Sequence, residues 1–404
     1  MTRRSLVAAV VVSVAVTAAI VLAIGRPALP DRQAGAGSSA APGDKGVATI
    51  VPIPIPGHEV YGFVPYWEMD GGIAAHLAGT DLTTLELFSV THKISGALAT
   101  NERGYRKITG ELGRRLISEA RERKVRVELV YTSFGTGKNA ALFASETVQD
   151  TAIAGLVALA ADLGVDGINV DIEQLDPGDI PAYAGFVARL RAALTATLPK
   201  AQASVATGAN LRGTAMALAA STAGADRIFL MGYDYHTAGS EPGASAPLGR
   251  SDGSEKSLPW SLDLYRNAGV PVDRTILGLP LYGMSWPVAG PEAGSPSDGR
   301  GMVWIPRRNL DLLGDPAKTP IYDPIEGVEV LTIADGDGWQ VIYFDSPASL
   351  TPKLALADAR GLAGAGFWAV GYDRGLPDYA RLIATFRAGE IGASAAGGTV
   401  TVQP

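Results

Sequence analysis

From His58 to about Gly389, short apolar runs alternate with stretches whose apolar residues recur every three or four positions. Eight runs read as strands: residues 60–67, 85–90, 125–131, 167–172, 203–207, 227–233, 275–282 and 366–372. Between them, helical spacing marks residues 111–124, a segment ending at Gly164, a segment opening at Asp179 with Pro181 in its first turn, and residues 214–220, 259–268 and 378–387. Thr147 with Asp150 is expected to form a capping box at the start of the helix that Gly164 stops. Strands interleaved with helices in this number predict an α/β fold, a (β/α)8 TIM barrel. A doubly wound open sheet would want a phosphate loop early, and no G-x-G-x-x-G follows a strand here.

The repeat breaks between about residues 283 and 361. Residues 287–300 are loop-like, and residues 328–334 and 340–344 flank Asp335-Gly336-Asp337-Gly338, a hairpin signal. A small α+β insertion before the last strand is predicted. A calcium loop is the competing reading of the Asp-Gly pairs, and their spacing does not fit an EF-hand. Gly361–Gly366 is glycine-rich but precedes a strand, so it is not read as a phosphate site.

At the N-terminus Arg3 and Arg4 precede the apolar run 6–24. Residues 1–25 therefore read as a signal peptide or an N-terminal membrane anchor. Either one exports the rest of the chain, so the expected location is extracellular, secreted or held on the outer face of the plasma membrane. Residues 26–57, rich in Gly, Ala, Pro and Ser, read as a flexible linker, residues 58–390 as the barrel, and 391–404 as a flexible tail.

Composition narrows the chemistry. Basic residues number 34 against 41 acidic ones, with no basic run, which argues against nucleic acid. The absence of cysteine removes thiolate chemistry, and four histidines make a His-built metal site improbable, so no metal and no cofactor are expected. Chemistry must rest on Asp, Glu, Tyr and Trp. The most informative stretch is VDGINVDIEQ, residues 165–174. In an extended strand Asn169, Asp171 and Glu173 share one face, while Ile168, Val170 and Ile172 pack on the other. Polar groups on an inward face near the C-terminal end of a barrel strand lie where active sites sit. Neighbouring carboxylates raise the pKa of one, as a general acid for glycosidic cleavage requires.

This stretch resembles the D-G-x-D-x-D-x-E signature of glycoside hydrolase family 18, the chitinase-like enzymes, and most of all the bacterial branch related to spore-cortex and peptidoglycan N-acetylglucosaminidases. The resemblance continues in Leu230-Met231-Gly232-Tyr233-Asp234, in Leu279-Pro280-Leu281-Tyr282-Gly283, in Gly366-Phe367-Trp368 and in the loop 237–248. It implies Glu173 as general acid and base, Asp171 as the group orienting the acetamido nitrogen of the substrate, and Tyr233 as the donor to its carbonyl. It also implies Asp234 as a sugar contact and Trp368 as the floor beneath the sugar, with Asn169, Met231 and Tyr282 among the substrate-binding residues. The implied substrate is a β-1,4-linked, N-acetylated glycan of chitin or peptidoglycan type, cleaved with retention by the substrate's own acetamido group. A catalytically weak carbohydrate-binding protein is the alternative, opposed by the retained Glu173. The family's commoner Asp is Asn169 here, which removes a charge beside Asp171. Tyr66, Trp67, Tyr131, Tyr282 and Trp286 are further stacking candidates, and His236 a candidate lining residue. A monomer is expected.

Overall fold

The computed structural model describes residues 57–391 apart from Ala293. The apolar run 6–24, the tether up to residue 56 and residues 392–404 lie outside the described residues. No helix among the described residues is long and apolar enough to cross a membrane.

Eight parallel strands close into a barrel. They are β1 (Glu59–Pro65), β2 (Thr84–Thr91), β3 (Arg126–Phe134), β4 (Gly167–Glu173), β5 (Gln202–Gly208), β6 (Arg227–Met231) and β7 (Thr275–Pro280), followed after the insertion by the closing strand, Gly364–Trp368, which pairs with both β7 and β1. The insertion supplies β8 (Gly283–Val288), β9 (Met302–Trp304), β10 (Ile321–Asp323), β11 (Val328–Asp335) and β12 (Gly338–Phe344), so the closing strand is β13. These five form a separate antiparallel sheet in the order β10-β11-β12-β8-β9. The Asp-Gly pairs form its tight hairpin, with Asp335 opposite Gly338 and Gly336 at a φ of 59°.

Alternation along each barrel strand separates two cores. Outward residues such as Leu85, Leu87, Val127, Leu129, Ile168, Val170, Ile172, Val205, Leu277 and Phe367 pack against the helices. Inward residues Tyr61, Phe63, Phe88, Val130, Ala206, Phe229 and Ile276 fill the barrel. Burial of these apolar faces, at about 25 cal/mol per Å², is the main force that closes the barrel.

Several local expectations need correction. Strands read to residues 67, 233, 282 and 372 end at Pro65, Met231, Pro280 and Trp368. Just past each end one more amide, of Tyr66, Gly232, Leu281 and Val370, still donates to a neighbouring strand, and then the chain leaves the ladder at the barrel mouth. Ser145, not Thr147, caps the helix Glu146–Leu163, its side chain accepting from the Val148 amide at 3.4 Å. Thr147 sits inside that helix and Asp150 instead pairs with Arg189 at 3.0 Å. Gly164 does stop it, in the left-handed conformation at φ 68°. Asp179 precedes the helix Ile180–Thr197 without a side-chain cap bond, whereas Asp176 caps the short turn before it. The helix read at residues 214–220 spans Leu211–Thr222, started by Asn210.

Candidate active site

β4 carries the three polar residues at consecutive inward positions, and the structure places them at different depths. Asn169 is fully buried, level with Ser204 of β5, and its amide donates to the Ser204 hydroxyl at 2.8 Å. Its place is therefore beneath the cleft and not on its surface. Asp171 is buried one rung higher, and Glu173, partly exposed, ends the strand at the mouth. Burial raises the Asp171 carboxyl well above its ordinary range, and the charge of Glu173 adds to this. Burial, with help from Asp234, lifts Glu173 to about 7.

Behind Glu173 the chain turns sharply, and Gln174 takes a φ of 60°. The turn is held by Asn139, whose amide donates to the Glu173 carbonyl at 2.6 Å. Asn139 in turn accepts from Ser133 at 2.7 Å, and Ser133 meets His92 at 3.0 Å, all three buried. Burial lowers His92 to about 4, so it is neutral near pH 7. No local signal in the sequence marks these three, because they reach Glu173 from the ends of β2 and β3 and the following helix.

The opposite wall is built after β6 and β7. Asp234 lies open to the cleft at a φ of 63°, and its amide donates to Ser245 at 3.1 Å. The buried Tyr282 donates its hydroxyl to the Asp234 carboxylate and accepts from Ser245 at 3.2 Å. Tyr282 thus supports Asp234 from below. Desolvation by the surrounding cleft walls raises Asp234, and the Tyr282 bond opposes that rise. Tyr233 packs edge-on to Tyr282 with ring centroids 6.2 Å apart. Its hydroxyl is raised first by burial and then by the charges of Asp171, Asp234 and Glu173. One phenol therefore feels the charge of all three carboxyl groups.

Trp368 closes the floor. It is partly exposed, meets Phe88 edge-on at 4.6 Å and Trp67 at 6.2 Å, and rests on the barrel-filling core together with Met231 and Tyr233. Among the other aromatic candidates, Trp67 is 40% exposed, its indole donating to Tyr372 at 3.0 Å. Tyr131 points outward and stacks on Phe186, and Trp286 is buried against Tyr343 in the insertion. His236 is buried in its loop, its Nδ1 meeting the Glu241 carbonyl at 2.8 Å.

An apolar floor, a phenol and three carboxyl groups with no cation paired to them among the described residues form a site that can give and take protons beside a flat ring. The chain has relatives among known proteins. The chain is 28% identical over 249 residues to endochitinase 1 of Metarhizium robertsii, covering 55% of each chain. It is 23% identical over 252 residues to the cortical fragment-lytic enzyme of Bacillus anthracis, covering 59% of this chain and 54% of that one. The chain spans about half the length of the curated relatives it matches. In fold it is similar to the group IV chitinase of Ostrinia furnacalis, with a TM-score of 0.71 at 19% identity, covering 82% of this chain and 100% of that one. The family model of glycosyl hydrolases family 18 matches residues 65–373, and the chain belongs to that family.

Proposed function

We propose that the protein is an exported glycosidase that hydrolyses β-1,4-linked glycans containing N-acetylglucosamine, with retention of configuration and assistance from the substrate. The observation that carries this is the placement of Asp171 and Glu173 on the inward face of β4 at the barrel mouth, with Asp234 held by Tyr282 and with burial and Asp234 lifting Glu173 to about 7. An acid with that pKa is still substantially protonated near neutral pH and can protonate the leaving glycosidic oxygen. As that bond breaks, the acetamido oxygen of the same sugar attacks the anomeric carbon and forms an oxazolinium ring. Asp171 holds the amide nitrogen and stabilises its positive charge, while Tyr233 donates to the acetamido oxygen and positions it. Glu173, now ionised, takes a proton from the water that opens the ring. No enzyme carboxylate forms a covalent bond, which is why the site needs one acid and one helper. Trp368 supplies the flat apolar surface under the sugar. The basic pair Arg3-Arg4 followed by the apolar run 6–24 supports export.

The test is product analysis by mass spectrometry on chitin oligomers and purified peptidoglycan, with deacetylated glucosamine oligomers as control. Acetylated chains should be cut and deacetylated ones left intact, and a thiazoline analogue of the oxazolinium should bind better than the plain sugar. Efficient cleavage of the deacetylated chains, or a glycosyl ester trapped on an enzyme carboxylate, overturns the mechanism. Binding without turnover by the intact protein overturns the activity.

A further inference from the structure

Below the cleft the barrel holds a second pair of acids that the reaction above does not use. Glu86 of β2 and Glu128 of β3 are in register and fully buried, and no cation among the described residues pairs with either. A side chain at Gly167 would meet Glu128 at 3.1 Å, so this glycine on β4 makes the room Glu128 occupies. Glu86 lies within hydrogen-bond reach of Glu128, and burial raises both, Glu86 the more strongly. Two of the otherwise unpartnered oxygens are reconciled when neutral Glu86 donates to Glu128 Oε1.

The other Glu128 oxygen accepts the hydroxyl of Ser204. A serine has a single hydrogen to give. Having given it to Glu128, Ser204 only accepts from Asn169, so the Asn169 amide turns its nitrogen toward Ser204 and its oxygen away. That oxygen has no partner, and neither has Oδ1 of Asp171, the next inward residue of β4. Two bare buried acceptors on consecutive inward positions call for a hydrogen, and a protonated Asp171 would supply one.

We propose that Glu128, acting through Ser204, holds the Asn169 amide with its oxygen presented to Asp171 and thereby sets the protonation of Asp171. Glu128 is in this sense a positioning residue, one layer beneath the reacting groups. When Glu128 is ionised, the Asn169 oxygen is free and Asp171 keeps its proton. When Glu128 is neutral, it donates to Ser204, Ser204 donates to the Asn169 oxygen, and the amide offers an N–H that favours ionised Asp171. An aspartate at 169 would exchange charge with Asp171 directly; here the counterweight sits on β3.

Burial lifts Glu128 to about 7, against the opposing Ser204 bond and Arg126, so the exchange falls in the range where Glu173 titrates. Glu128 feels the hydrogen bond of Glu86 and the charges of Asp226 and Arg126 and acts in turn on Glu86 and Tyr61, while Asp171 feels Glu173 and acts on Tyr183 and Tyr233. The consequence for turnover rests on the glycosidase reading; the coupling between the two acids does not.

The experiment is Ser204→Ala, which removes the hydroxyl and keeps both carboxyl groups. In substrate-free protein labelled with 13C-carboxyl aspartate, the Asp171 resonance, assigned by its loss in Asp171→Asn, should titrate about one unit lower, because the freed amide turns an N–H toward it. Glu128→Gln should give the same shift, since neutral Glu86 claims the new amide's oxygen and leaves its nitrogen to Ser204. Because ionised Asp171 is the form that stabilises the oxazolinium, kcat on acetylated oligomers should hold or rise, with KM little changed. Adding Asn169→Asp to Ser204→Ala should return the Asp171 titration toward that of the parent protein. An Asp171 titration unmoved by Ser204→Ala and Glu128→Gln overturns the proposal, whether or not the protein cleaves glycans. A normal titration shift in a protein that cleaves nothing overturns only the glycosidase reading.

Discussion

Asp345, just past β12, and Asp171, within β4, are both buried carboxyl groups, but their surroundings differ in kind. Asp345 pairs with the fully buried Lys353 and accepts from Ser349 at 2.8 Å, while Tyr379 bonds its carbonyl at 2.6 Å. Burial pushes Asp345 up and the Lys353 ammonium opposes it. Asp171 has no cation among the described residues; its closest charged neighbour in effect is Glu173, which pushes in the same direction as burial. The first arrangement offsets the cost of desolvation within the folded protein. The second leaves that cost standing, and what it maintains is a proton at the base of the cleft. Buried charge of the first kind serves the fold, and of the second kind serves the chemistry.

Replacing members of each group should separate these roles. Glu173→Gln removes the proton donor and should lower turnover by about 10²–10⁴-fold or more. Its melting temperature should hold or rise, because a desolvated acid is gone. Turnover near that of the parent protein would remove Glu173 from the reaction.

Lys353→Met should do the reverse. Leaving Asp345 buried without its cation should cost about 3–5 kcal/mol in denaturant unfolding, while kcat per folded molecule stays constant. Adding Asp345→Leu should recover much of the loss. A marked fall in kcat for the folded fraction would show that the pair also shapes the cleft.

The third prediction concerns pH. Glu173 must be protonated to act, so kcat/KM should fall as pH rises through about 7. Asp234 helps to raise Glu173, so Asp234→Asn should move this limb to lower pH, by about half a unit to one unit. A limb that stayed in place would mean that another group limits the reaction.

The last prediction concerns stability. Glu128 in the folded chain sits at about 7, above its ordinary value. Its contribution is therefore fully present below about pH 4 and is lost as pH rises through 7. Glu128→Gln should narrow the difference in unfolding free energy between pH 5 and pH 8 by about 1–3 kcal/mol. An unchanged difference would place Glu128 at an ordinary carboxylate pKa.

The sequence on its own determined the elements whose signal is local. Period-two alternation set Asn169, Asp171 and Glu173 on one face of β4, and the Asp-Gly pairs marked the hairpin between β11 and β12. The order of strands and helices determined the barrel, because each apolar face needs a partner layer. Glu86 and Glu128 carry no local mark in the sequence, and nothing local says that two strands will bring them face to face. Only the closed barrel decided that. It also decided which aromatic residues reach the cleft: Tyr131 differs from Tyr233 in pointing toward the helices, a fact of strand register and not of composition. Likewise Asn139, Ser133 and His92 hold the Glu173 carbonyl from other elements. The physical reason is range. Alternation, capping and turn chemistry act over a few residues of one segment, whereas the pairing of buried polar groups depends on which segments the closed sheet brings together.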